Sequence, residues 1–113
     1  MTARKVPFRR RLAVDDIAVD DIAGHSQWIA ENNFDAALRF LDAVEATVEL
    51  RCQFPDAGGR VPTNRVDANG LRAKLVNGFG SYVVLYFVTN ETIDIARVIR
   101  GGQELDQIAL NAS

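Results

Sequence analysis

Leu71-Arg72-Ala73-Lys74-Leu75-Val76, Tyr82-Val83-Val84-Leu85-Tyr86-Phe87-Val88-Thr89 and Thr92-Ile93-Asp94-Ile95-Ala96-Arg97-Val98-Ile99 follow one another with only short polar breaks. Each run is rich in β-branched and aromatic residues, and Asn77-Gly78, Gly80 and Asn90-Glu91 supply the turns between them. The middle run is apolar without alternation, as expected of a central strand covered on both faces. A three-stranded antiparallel meander follows. Four cations, Arg72, Lys74, Arg97 and Arg100, stand on strands that otherwise read as sheet core. Because side chains alternate, Arg72 and Lys74 share a face opposite Leu71, Ala73 and Leu75. That face is either solvated or a contact surface. By the same alternation Arg97 falls with Ile93, Ile95 and Ile99, so it must be ion-paired, to an Asp or Glu of the helices upstream, or sit at the rim of a groove. Arg100 precedes Gly101-Gly102 and is expected to be the most exposed of the four.

Upstream, Val6 to Leu12 mixes apolar and basic residues and reads as an edge strand or extended arm, with Pro7 tolerated near its start. From Asp15 to Asn32 the period is helical: Val14, Ile17, Ala18, Ile22, His25, Trp28 and Ile29 fall on one stripe. A break at Glu31-Asn32-Asn33 leads to a second helix with Asp35 as its expected N-cap. On it Phe34, Ala37, Leu38, Leu41, Val44, Val48 and Cys52 line one stripe, with Phe40, Leu50 and Phe54 on the flank and back. The short connection makes the pair an antiparallel hairpin. Pro55, Asp56, Gly58 and Gly59 end it, and residues 55 to 70 form a long loop. Leu105, Ile108 and Leu110 predict a short closing helix. Val-Asp-Asp-Ile-Ala occurs at 14 to 18 and at 19 to 23, but a step of five does not match the helical period and is no structural repeat. The class is α+β: strand, helix, helix, three strands, short helix, with the sheet packed on the helices.

The chain has 113 residues, 48% of them apolar and 25% charged. That length supports one domain spanning 1–113, with residues 1–6 and 111–113 as flexible ends. No apolar run approaches the 18 or so residues of a spanning helix, and no secretory signal is evident, so a soluble cytoplasmic protein is expected. Cys52 is the single cysteine, which excludes an internal disulfide and argues against a thiolate metal site. Its place on the helical stripe makes it a packed core thiol.

The net charge of −2 hides a segregation. Residues 1–14 carry five cations and no acid, whereas residues 15–50 carry nine acids against Arg39 alone. Eleven of the thirteen cations are arginine, which favours forked contacts to carboxylate or phosphate. An acidic face and a basic face are expected. Arg9-Arg10-Arg11 reads as solvated charge or as a phosphate contact. His25, the only histidine, follows Asp21 by one helical turn; no placed serine or cysteine completes a catalytic set, so it reads as a packed, hydrogen-bonded core residue. Trp28 reads as a core anchor between helix and sheet.

The ordered series of Phe40-Leu41-Asp42-Ala43-Val44-Glu45, Gln53-Phe54-Pro55-Asp56-Ala57-Gly58, Gly70-Leu71-Arg72, Tyr82 to Tyr86 and Ile95-Ala96-Arg97-Val98-Ile99-Arg100-Gly101 resembles the ParE branch of the RelE/ParE toxins. The likeness runs from about Arg9 to Ile108; no single motif in it is diagnostic, and the order carries it. The resemblance implies a plasmid-stabilisation type II toxin, silenced by a cognate ParD-like antitoxin encoded in the neighbouring gene and free of metal or organic cofactors. ParE-like toxins poison DNA gyrase by trapping its cleaved-DNA complex, whereas RelE-like relatives cut mRNA on the ribosome. The resemblance leaves homodimer and hetero-oligomer with antitoxin both open, and it implies no membrane.

Fold alone does not choose between the two activities, so residues must. Metal-independent RNA cleavage needs a base for the 2′-hydroxyl, an acid for the leaving oxygen and cations for the phosphorane. RelE-like nucleases typically place a tyrosine, often with a histidine, near the C-terminus; nothing after Tyr86 here is either. Where many ParE-like sequences read Arg-Val-Leu-His-Gly, the histidine position is Arg100, which stays protonated and seldom shuttles a proton. Phe87 also replaces a frequent arginine. No catalytic residue is therefore assigned. Arg72, Lys74, Arg97 and Arg100 are the candidates for binding target or antitoxin; the alternative sets the same four around the scissile phosphate of a ribosome-dependent endoribonuclease.

Overall fold

In the computed structural model, which describes residues 9–62 and 70–101, the chain runs β1 (Arg11–Val14), α1 (Asp16–Ala30), α2 (Phe34–Gln53), a 3-10 turn (Pro55–Ala57), β2 (Gly59–Arg60), β3 (Arg72–Val76), β4 (Phe79–Val88) and β5 (Thr92–Arg100). The expected meander is the centre of a five-stranded sheet ordered β1-β5-β4-β3-β2. β1 joins it in parallel beside β5, and β2 adds two residues at the opposite edge. Neither addition has a local signal: a two-residue strand has no period, and the partner of β1 lies some eighty residues away in sequence. Residues 6–8 of the expected first strand and the expected closing helix at Leu105, Ile108 and Leu110 lie outside the described residues, as do both expected flexible ends.

Caps set the helix starts. Asp15 is extended and its carboxylate accepts from the Ile17 N–H. For α2 the cap is Asn33, whose Oδ1 accepts from the Ala36 N–H at 3.0 Å, and not the expected Asp35. Asp35 instead sits in the first turn, where its charge complements the helix dipole. The turns follow the sequence closely. Asn77-Gly78 links β3 to β4, with Gly78 at φ +79°, a conformation open to glycine. At Asn90-Glu91 the Thr89 hydroxyl accepts from the Glu91 and Thr92 N–H groups and fastens the hairpin. Gly80, read as part of a turn, lies inside β4.

β4 is buried on both faces, as its composition requires. Tyr82, Val84 and Tyr86 point to the helices, where they meet Ala18 of α1 and Phe40, Val44, Val48 and Cys52 of α2. Val83 and Leu85 point the other way and cluster with Leu71 and Ile99. The expected stripe on α2 is displaced. Ala37, Phe40, Val44, Thr47, Val48, Arg51 and Cys52 form its buried side, while Phe34, Leu38 and Leu41 are exposed. On α1, Ala18 is buried and Ile22 and Ile29 pack on the core, but Ile17 and Trp28 are more than half exposed. α1 covers only the β5 side of the sheet, so its buried face is narrower than its apolar stripe.

Two bulges break simple alternation. One lies opposite Leu85-Tyr86, where Leu85 pairs with Arg97 but Tyr86 pairs with Ile95, leaving Ala96 as the extra residue. Ile93, Ile95 and Val98 therefore face the helices, and Ile99 faces away. Arg97 thus does not share a face with Ile93 and Ile95, because one inserted residue exchanges the faces beyond it. The other bulge, at Leu75-Val76, leaves Leu75 exposed and Val76 in the core.

β1 pairs with β5 only as far as Ile95, beyond which the β5 edge needs other partners. Side chains of α1 supply them. Asp21 Oδ2 accepts from the Val98 N–H at 3.0 Å, and His25 Nε2 lies 2.7 Å from the Val98 carbonyl, to which it must donate. The four-residue spacing of Asp21 and His25 matches one helical turn to the backbone of one residue on the unpaired strand edge. The His25 ring also packs edge-on to Tyr82 and Phe40, so the expectation of a packed, bonded histidine holds. Replacing Asp21 by Ala strips partners from both Val98 and Arg97, and should lower unfolding stability by about 2–3 kcal/mol; urea denaturation checks this, and a loss below about 0.5 kcal/mol would show that the edge is held by other means.

Cys52 is fully buried in the helix-side core, as expected. Burial, reinforced by the nearby Glu49 charge, pushes its thiol above the ordinary range. It should react with a thiol reagent at neutral pH only at the rate set by unfolding, and at once in denaturant; equal rates in the two conditions would refute its burial.

Candidate docking surface

The four strand cations occupy four different environments. Arg72 pairs in register with Tyr86 and lies on the helix side of β3. Its guanidinium donates to the Gly58 carbonyl at 2.7 Å and forms an ion pair with Asp56 at 3.2 Å. The Tyr86 hydroxyl donates to the Pro55 carbonyl at 2.7 Å and accepts from the Gly58 N–H at 2.9 Å. Together they clamp the segment that leaves α2. Gly58 belongs to the clamp: a Cβ there would fall 2.4 Å from the Tyr86 hydroxyl oxygen and 2.8 Å from the Ala73 carbonyl oxygen. Arg72 is therefore not on a solvated face, which the alternation of β3 alone did not reveal.

Arg97 reaches back to α1 and forms a forked pair with Asp21, at 2.7 Å from Nε and 3.0 Å from Nη2. This is the ion pair with the helical hairpin that its sequence position allowed. Arg100 is exposed at the end of β5, as expected, with its guanidinium carbon 5.3 Å from the ring centre of Trp28. Trp28 is 53% exposed and thus a stacking platform rather than the expected core anchor. Lys74 pairs in register with Val84 and lines a groove of about 440 Å³ between α2 and the β3–β4 hairpin. The four do not converge: Arg72 and Lys74 lie on the β3 side of β4, and Arg97 and Arg100 on the β5 side, beside α1.

The N-terminal arginines are engaged too. Arg9 forms an ion pair with Glu49, and Arg10 donates through Nε to the Thr89 carbonyl at 2.7 Å and through its backbone to Cys52. Arg11 lies 4.0 Å from Glu91, both well exposed. Arg9 and Arg10 thus anchor the chain across the end of α2 and the β4–β5 turn, whereas Arg11 is solvated charge.

One cation escaped the sequence reading. Arg51, in the last turn of α2, is only 4% exposed, lines the same groove as Lys74, and has no hydrogen-bond partner for Nε or Nη1. A signal for it existed: it stands seven residues after Val44 and three after Val48, inside the buried arc of the helix.

Histidine and tyrosine are scarce. The chain's one histidine and two tyrosines are His25, Tyr82 and Tyr86; both tyrosines are buried and His25 is committed to Val98. Among the described residues no group of His, Cys, Asp and Glu could hold a metal ion, and no helix is long and apolar enough to cross a membrane.

This arrangement of a two-helix hairpin on a twisted antiparallel meander is found in a solved structure described as "Chromosomal ParDE TA system from P. aeruginosa". The TM-score is 0.66 at 16% identity, covering 82% of this chain and 97% of that one. No curated protein matches the chain. The sequence model described as "ParE toxin of type II toxin-antitoxin system, parDE" matches residues 12–105. That match takes in both helices and every strand but for Arg11 at the start of β1, and with it the chain belongs to the ParE toxin family, as a toxin of the type II toxin-antitoxin class.

Proposed function

We propose that this toxin acts by binding DNA gyrase in the cytoplasm and trapping its cleaved-DNA complex, without a chemical step of its own, and that a cognate ParD-like antitoxin neutralises it. The observation that carries the non-enzymatic part is the fate of His25, Tyr82 and Tyr86. A metal-independent nuclease needs an acid and a base beside its cations, and the side chains best suited to the task at neutral pH are packed into the fold. The strand arginines can stabilise charge but seldom move a proton. Family membership supports the gyrase target, and the ParDE description of the structural neighbour supports the antitoxin.

Purified toxin should inhibit supercoiling by gyrase and raise the fraction of cleaved DNA. Unchanged supercoiling, together with codon-phased cuts seen by primer extension on mRNA from induced cells, would transfer the protein to the ribosome-dependent nucleases.

The docking surface is proposed on the basic strand residues Arg72, Lys74, Arg97 and Arg100. Arg72 and Arg97 also hold the fold through Asp56 and Asp21, so Lys74 and Arg100 are the informative positions. Reversing both, Lys74→Glu with Arg100→Glu, should weaken capture of the neighbouring gene's product at least tenfold while the thermal midpoint changes little. Full-strength capture by this variant would place the antitoxin elsewhere.

A further inference from the structure

We propose that the groove between α2 and the β3–β4 hairpin is an anion receptor centred on Arg51, and that its occupant is a carboxylate side chain on an acidic, amphipathic peptide segment. The proposal deepens the antitoxin reading above, on which its choice of partner rests. The starting point is the buried guanidinium. Arg51 is 4% exposed, and its Nε and Nη1 are sealed from water without a hydrogen-bond partner. A buried charge in that condition is costly, and native proteins keep such charges paired. The carbonyl end of α2 lies near and softens the cost through the helix dipole, but it gives no hydrogen bond to either nitrogen. Because Arg51 lines the groove, a carboxylate there would answer the charge of the guanidinium, and a small outward turn of the side chain would bring its unpartnered nitrogens to the ligand.

The walls define the rest of the ligand. Lys74 brings a second cation from β3. Thr47 is already committed: its hydroxyl donates to the Ala43 carbonyl at 2.7 Å and accepts from the Asn77 N–H at 3.3 Å, which ties the β3–β4 turn to α2 and fixes the width of the groove. Leu50 and Leu75, 47% and 56% exposed, stand on opposite rims as apolar ledges. One anionic group flanked by apolar side chains fits this pattern, which is the surface of an amphipathic acidic peptide. A nucleic acid fits it less well. Its phosphates repeat, and α2 also presents exposed Asp42 and Glu45, which would repel a continuous phosphodiester laid across the helix.

Arg51→Met separates this role from a structural one, since methionine keeps the length of the stem and removes only the unpaired charge. Wild-type and R51M toxin are each titrated with the antitoxin from the neighbouring gene, with N-acetylglutamate amide, and with a short DNA duplex. Thermal midpoints and the Arg51 Nε–H and Asn77 amide resonances are followed throughout. The expected result is an unchanged or higher midpoint for free R51M, antitoxin affinity lower by about tenfold or more, and saturable shifts with the small carboxylate in wild type only. Equal antitoxin affinity for the two proteins would overturn the proposal. So would a thermal midpoint that drops sharply in R51M while the small carboxylate leaves the wild-type resonances unmoved, or shifts produced by the duplex and not by the carboxylate. If wild-type toxin binds no antitoxin, the neutralisation reading falls, and the carboxylate titration still decides the groove: saturation abolished in R51M supports the receptor, and no shift removes it.

Discussion

The β5 edge beyond Ile95 is the constraint around which the rest of the molecule is arranged. β1 is four residues long and stops where its ladder with β5 ends, yet β5 continues for five more residues. A bare strand edge beside a hydrophobic core is unstable unless its N–H and C=O groups find partners. Asp21 and His25 take both polar groups of Val98, and Asp21 also takes the fork of Arg97. One carboxylate therefore docks α1 on the sheet and orients a strand cation in the same act. Since α2 follows after a three-residue break, the placement of α1 fixes where α2 crosses the sheet. The core between Phe40 and the Tyr82-Val84-Tyr86 side of β4 depends on it.

How much of this was legible in the residues depends on the range of the interaction. Helices, turns and the doubly covered β4 are local patterns, and each is found close to where period and turn chemistry put it. The ion pair of Arg97 was foreseen as a possibility because a charge on an apolar strand must be paired, though its partner could only be assigned to the hairpin as a whole. What failed were the faces. A single extra residue at Ala96 reverses the alternation of β5, and nothing in Ile95-Ala96-Arg97 announces a bulge. On α2 the apolar residues exceed what the sheet can cover, so Phe34, Leu38 and Leu41 read as core and are not. Arg51 is the converse case: a charge on a helix reads as surface, although its spacing from Val44 and Val48 places it inside.

The same geometry explains why the four strand cations are not equivalent. Arg72 and Arg97 each complete a structural joint, the first to the segment after α2 and the second to α1. Their charges are largely answered within the molecule. Lys74 and Arg100 project from opposite sides of β4, one into a groove and one over an indole ring. A partner that used both would have to span the helical side of the sheet. That is a demand on the length of the partner more than on its charge, and an extended or helical peptide meets it where a compact ligand does not.

The proposed receptor would owe its selectivity to the acidic hairpin. Asp42 and Glu45 on α2 and Asp16 and Asp20 on α1 are exposed, so a polyanion approaching the sheet from the helix side meets repulsion before it meets Lys74 or Arg51. A peptide carrying isolated carboxylates among apolar residues meets less, and it can place one acid at Arg51 while its apolar side chains rest on Leu50 and Leu75. The free toxin holds a guanidinium whose desolvation is uncompensated, and a partner that compensates it stabilises the bound state relative to the free one. Placing that deficit at the end of α2 couples recognition to the element that spans the core, where pairing the buried charge would stiffen the fold as well as fill the groove.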